Sequence, residues 1–144
     1  MSKTLTLRGI GAAGDVDKIL LFGGQQGEFK KAYRILDFQI APNNPMASNE
    51  ISATINTIEV THAVAWNWSK NTQIAWAAWN VPINSRFGQY SNVDKEALVV
   101  EDIYIDFSGP VPSDINYELT LEQVDVSPSQ AALTMVSARA QGSD

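Results

Sequence analysis

Along most of this chain apolar and polar positions alternate with a period of two, and glycine, proline and asparagine interrupt the alternation at short intervals. A period of two sends successive side chains to opposite faces of a strand, so the pattern predicts a series of half-buried β-strands. Thr4–Arg8 alternates weakly, GAAGD turns the chain, and Lys18–Phe22 (KILLF) reads as a short apolar strand. The glycines of GGQQGEFKKA predict a hairpin or loop. In Tyr33–Ala41, Leu36, Phe38 and Ile40 are expected on the buried face, with Asp37 and Gln39 on the other. APNNPMASN follows as a loop.

Glu50–Thr61 holds Ile51, Ala53 and Ile55 in one phase, then Ile58 and Val60 in the opposite phase. A slip of one residue returns both sets to one face, which predicts a bulge near Asn56–Thr57. His62–Trp68, a short SKN connection and Thr72–Val81 predict a hairpin. The polar, punctuated run VPINSRFGQYSNVDKEA predicts a loop with one helical turn at Asp94–Ala97. Leu98–Phe107, rich in branched and aromatic residues, predicts a strand. SGPVPSD turns the chain again. In Ile115–Leu121, Tyr117, Leu119 and Leu121 oppose Asn116, Glu118, Thr120 and Glu122.

The period changes at the end. Ser127 is placed as an N-cap, Pro128 as the first helical residue and Gln130 as the third, a capping-box arrangement. Good helix formers then run to Ala140, and Gly142 is a stop signal, so a helix is expected over about residues 128–140. Seven or eight strands with long connections describe one all-β domain over residues 1–144. The expected architecture is an antiparallel β-sandwich or jelly roll with a short C-terminal helix. The βα alternation of a nucleotide-binding fold is missing.

Composition narrows the function classes. A chain of 144 residues is long enough to bury a core without staples. Its ten basic and sixteen acidic residues give a net charge of −6, and the longest basic cluster is Lys30-Lys31 with Arg34. A phosphate-binding surface needs clustered lysine and arginine, so no direct nucleic-acid partner is expected. There is no cysteine, which removes disulfides and thiolate chemistry. MSKTLTLRGIGAAGD has no seven-residue apolar core, so no secretory leader is expected, and no apolar run predicts a membrane span.

Catalytic inventory is thin. His62 is the single histidine, set in a predicted strand where it reads as a structural or surface residue. No P-loop, nucleophile elbow or histidine pair at metal-ligand spacing occurs. Asp102 and Asp106 share a strand face about 13 Å apart, too far for a glycosidase pair, and read as a solvated acidic face. Asp15 and Asp17 stand on a glycine-flanked turn, an arrangement that suits either turn chemistry or a hard cation. No enzyme activity, cofactor or committed metal site is expected.

Two features remain. Residues 1–40 carry six basic and four acidic residues, a local +2, while residues 92–126 carry one basic and nine acidic, a local −8. This fits either two differently charged faces or a head-to-tail contact between copies. The second feature is AWNWSKNTQIAWAAW, residues 65–79, which holds all four tryptophans. Trp66 and Trp68 share one face of their strand. Ile74, Trp76 and Ala78 oppose Ala75, Ala77 and Trp79, so the return strand is apolar on both sides. One side is expected to be core and at least one indole to be exposed. Trp66, Trp68, Trp76 and Trp79 are therefore candidates for a subunit interface or for a sugar-stacking platform.

QIAWAAW, LVVEDIYIDF and INYELTLEQVDVSPSQAALTMVSARAQ together resemble small structural proteins of marine bacterial viruses. The resemblance covers roughly the second half of the chain and carries no catalytic residues with it. It implies a capsid or capsid-decorating subunit with a β-sandwich or jelly-roll core, located in the virion and assembled in the host cytoplasm. Its implied partners are copies of itself and other virion proteins. MSKTLTLRG departs from the basic arm of shell proteins that condense their own genome. The alternative expectation is a carbohydrate- or receptor-binding β-sandwich that uses exposed tryptophans, with a glycan as partner.

Overall fold

The structure is a computed structural model that describes residues 3–21, 31–45, 50–63, 65–80 and 88–125. It contains eight strands: β1 (Lys3–Ala12), β2 (Val16–Ile19), β3 (Lys31–Pro42), β4 (Glu50–Asn56), β5 (Gln73–Asn80), β6 (Gly88–Val93), β7 (Ile103–Ser108) and β8 (Asp114–Asp125). They form a three-stranded sheet, β1-β8-β3, and a five-stranded sheet, β2-β7-β4-β5-β6, antiparallel throughout. The expected all-β sandwich is thus the observed fold. The expected C-terminal helix over residues 128–140 lies outside the described residues.

The pairings β1 with β8, β2 with β7, and β4 with β5 are those of one long hairpin folded back on itself and wrapped into two sheets. The remaining couple, β3 and β6, meets at the seam, where Ser91 Oγ donates to the Phe38 carbonyl at 2.6 Å. This is the jelly-roll order of pairings except that β6 is laddered to β5 and not to β3. Gly14, at φ +93°, makes the β1–β2 turn in a conformation that costs glycine little. Gly11 is required for another reason: a Cβ there would lie 2.1 Å from the Phe107 ring.

Alternation fills the space between the sheets. From the three-stranded sheet come Ile35, Phe38, Ile40, Ile115, Leu119 and Leu121. Ile51, Ala53, Ile55, Ala75, Ala77, Ile103, Ile105 and Phe107 face them from the five-stranded sheet. Leu119, Leu121 and Phe107 are fully buried, as the pattern of β8 and β7 predicts.

Several expectations need correction. In β3 the register shifts between Ile35 and Asp37, so Leu36 is an extra residue and Ile35, not Leu36, joins Phe38 and Ile40 on the inner face. The other bulge falls beside its predicted place: pairing slips between Ile55 and Asn56, with Ile74 of β5 as the additional residue. Gly88–Val93, expected in a loop, is edge strand β6. The predicted KILLF strand is shifted, since β2 covers Val16–Ile19. Strand β7 starts only at Ile103, and Val99 instead bridges Tyr33. The turn at Asp94–Ala97 is present, closed by Ala97 N–H on the Asp94 carbonyl at 3.3 Å.

Candidate functional site

The predicted tryptophan hairpin does not form as expected. Gln73–Asn80 is strand β5, but among the described residues of 57–72 none is in a strand. Strand β4 ends at Asn56, where Thr57 N–H donates to the Thr72 carbonyl at 2.9 Å. The chain between those two residues leaves the sheet and returns as a strap over its outer face.

Register defines that outer face. Cross-strand partners share a side of the sheet, and Asp106, Thr54, Trp76 and Asn92 form one row across β7, β4, β5 and β6. Ala78 and Tyr90 form a neighbouring pair. The strap is pinned to this surface in two places.

The first pin is polar. Asp106 is only 4% exposed, and its Oδ1 lies 2.5 Å from His62 Nδ1. Its Oδ2 accepts from Ala63 N–H at 2.9 Å. The solvated acidic strand face expected for Asp102 and Asp106 is therefore wrong for Asp106, because the strap covers it. Asp102 is instead paired with Lys18 at 3.3 Å. That hydrogen bond and charge hold the Lys18 pKa above its ordinary value. His62 takes a structural role, as expected, although it lies on the strap and not in a strand.

The second pin is aromatic. Trp68 packs on Trp76 with ring centroids 5.6 Å apart and planes tilted by 50°. Trp66 packs on Tyr90, also at 5.6 Å, tilted by 33°. Tilted pairs at this distance contribute about 0.5–1.5 kcal/mol beyond area burial. Trp76 is buried, and its indole N–H donates to Gln73 Oε1 at 3.1 Å. The same oxygen accepts from Asn67 N–H at 2.8 Å. Trp68 remains 59% exposed and Tyr90 40%.

Of the four predicted residues the structure brings Trp66, Trp68 and Trp76 to one patch and separates Trp79. The latter stands on the inner face opposite Ile51, packed against the core. Both faces of β5 are thus covered, one by the opposite sheet and one by the strap. Tyr90 is the patch residue that sequence reasoning missed, because its strand lay in a presumed loop. Alternation of Tyr90 with Gln89 and Ser91 was the available signal, too weak in so polar a segment.

Between strap and sheet lies a cavity of about 280 Å³. Among the described residues five polar side chains are buried, and four of them, Thr54, Asn56, Thr72 and Asp106, line it. Asn56 Nδ2 donates to Thr54 Oγ1 at 3.3 Å.

Part of the segregated charge is paired within one chain. Arg8 pairs with Glu118 at 2.8 Å and Arg34 with Glu122 at 2.9 Å, while Lys31 pairs with Asp125. Lys31 also holds the Asp125 pKa below its ordinary value. The basic strands β1 and β3 flank the acidic strand β8, so residues far apart in sequence pair across one sheet. Those pairs take up three of the nine acidic residues of segment 92–126.

Asp15 and Asp17 stay near the β1–β2 turn. Burial, then the neighbouring Asp15 carboxylate, raises the Asp17 pKa. Burial, then Asp17, raises that of the Tyr117 phenol. No group of three acidic or histidine side chains placed to hold a metal occurs among the described residues.

No protein-family model matches the chain, and no curated protein matches it. Six chains of solved structures do. One, from a structure titled tobacco necrosis virus, is 12% identical, covers 90% of this chain and 100% of its own length, and has a TM-score of 0.33. At that score the likeness carries no argument about function, which must be read from the chain's own residues.

Proposed function

We propose that the chain is a non-enzymatic structural subunit of a virus particle, a capsid or capsid-decorating protein, that assembles through the aromatic patch of its five-stranded sheet. The observation that carries this reading is Trp68, 59% exposed on top of Trp76 and beside the Trp66–Tyr90 pair. Aromatic groups clustered on a surface are enriched at the centres of protein interfaces. A two-sheet antiparallel sandwich with near jelly-roll pairing suits a shell subunit. The virion assignment rests on the sequence resemblance of the second half of the chain.

In this reading the contact between subunits is chiefly aromatic, since three of the opposed charge pairs already form within one chain. Light scattering behind a size-exclusion column tests it. An oligomer that persists at high salt and shifts toward monomer on Trp68→Ala with Tyr90→Ala is the expected result. A strict monomer at every concentration sinks self-assembly.

A further inference from the structure

We propose that the cavity beneath the strap binds a single sugar ring. This goes beyond the assembly reading and stands or falls without it.

The cavity is built like a site for a small, neutral, hydroxylated molecule. Thr54, Asn56, Thr72 and Asp106 line it from the sheet side, and the strap brings one charge of each sign, Glu59 and Lys70. The first four are more than nine-tenths buried. Thr, Asn and Asp between them both donate and accept, which is what adjacent sugar hydroxyls require. Each Asp106 oxygen keeps acceptor capacity beyond its bond to the strap. The strap side adds Ile58, Ala63 and Ala65, an apolar counterpart for the C–H face of a ring. Gln73 lines the cavity and also holds Trp76 Nε1 and Asn67 N–H, which ties the pocket wall to the aromatic patch.

Other ligand classes fit less well. An anion would meet the buried Asp106 carboxylate. A hard cation needs about six to eight oxygen ligands, and no group of three acidic or histidine side chains placed to hold one occurs among the described residues. At about 280 Å³ the volume lies just under the roughly 300–1,000 Å³ of drug-sized sites, which favours one ring over a chain.

The test titrates the whole chain separately with glucose, galactose, mannose and N-acetylglucosamine at millimolar concentrations, observed by amide NMR. Saturable shifts at the Asn56 and Gln73 side-chain amides are expected for at least one sugar. Thr72→Val should weaken that binding by about tenfold, the loss of one hydrogen bond. Asn56→Ser is the second variant, with the same expected direction, should Thr72→Val fail to fold. If no sugar moves either amide, the cavity holds only water and the proposal is overturned. It is equally overturned by shifts confined to the Trp66 and Trp68 indoles that neither variant weakens, because the sugar would then stack on the patch.

Discussion

The two outer faces of this sandwich are finished in opposite ways. On the three-stranded sheet, charged side chains from β1, β3 and β8 pair across strands and meet water: the Arg8–Glu118 pair is 77% and 41% exposed at its two side chains. On the five-stranded sheet the corresponding surface carries Asp106, Thr54 and Trp76, all nearly buried under the strap. One face meets water with paired charges. The other removes a carboxylate and an indole from solvent, and then presents new aromatic surface, Trp68, on top. The contrast teaches that the strap is not filler between β4 and β5. It converts a polar sheet face into an aromatic one.

The sharpest way to break this contrast is at its polar pin. Asp106→Ala removes the acceptor of both His62 and Ala63 N–H, and leaves Thr54 and Asn56 beside an emptied space. Removing one partner from a buried polar pair costs about 3 kcal/mol. Urea unfolding should show that loss, and tryptophan fluorescence should shift to longer wavelength as the loosened strap uncovers the buried Trp76. The matched change on the other face is Glu118→Ala, which frees an arginine that is already in water. Exposed ion pairs contribute about 0.2–1 kcal/mol, so the loss there should be no more than about 1 kcal/mol. Equal losses in the two variants would mean that Asp106 holds nothing down.

The same contrast explains what the sequence made legible. Inner faces were readable wherever one side of a strand is buried, as in β8, because Ile115, Leu119 and Leu121 repeat with the period of the pleat. Opposite orientation of Trp76 and Trp79 followed from the same parity, despite the bulge at Ile74 upstream. Bulges defeated the parity rule in β3, where Leu36 and Ile35 exchange roles and only the ladder shows which is extra. Ile58 and Val60 mimic a strand, but the strap they belong to pairs with no strand, so local alternation misled. Strand β6 was hidden because an edge strand of polar residues needs only one good neighbour, β5.

Asp102 and Asp106 show the limit most clearly. They are four positions apart with the same residue type, yet one meets Lys18 at the edge and the other lies under the strap. Nothing local separates them, because the covering segment lies more than forty positions away, at His62. Charge segregation misled for a related reason. Read along the chain it suggests two poles, but strand order interleaves β1, β8 and β3 and pairs part of that charge across one sheet.

The smallest expected effect sharpens the comparison from inside the sandwich. Asp17 sits on edge strand β2 directly opposite Ile105, so it is a carboxylate placed on the apolar inner side. An inward charge on an edge strand discourages pairing with a further strand. Burial and the Asp15 carboxylate raise its folded pKa above the ordinary 3.8. A raised carboxyl pKa means that the folded state holds the proton more tightly, so its contribution is most favourable below the unfolded pKa. Stability is lost as pH rises from about 3.8 through the raised value, and the loss persists at neutral pH. Asp17→Asn should therefore be slightly more stable than the native chain at pH 7, with the gap closing as the pH falls below the ordinary carboxylate value. Thermal melts across that range check the sign. The opposite outcome, a less stable variant at pH 7, would mean that the ionised form is in use. If calcium then raised the melting temperature of the native chain but not of the variant, Asp15 and Asp17 would be a cation site and not an edge guard.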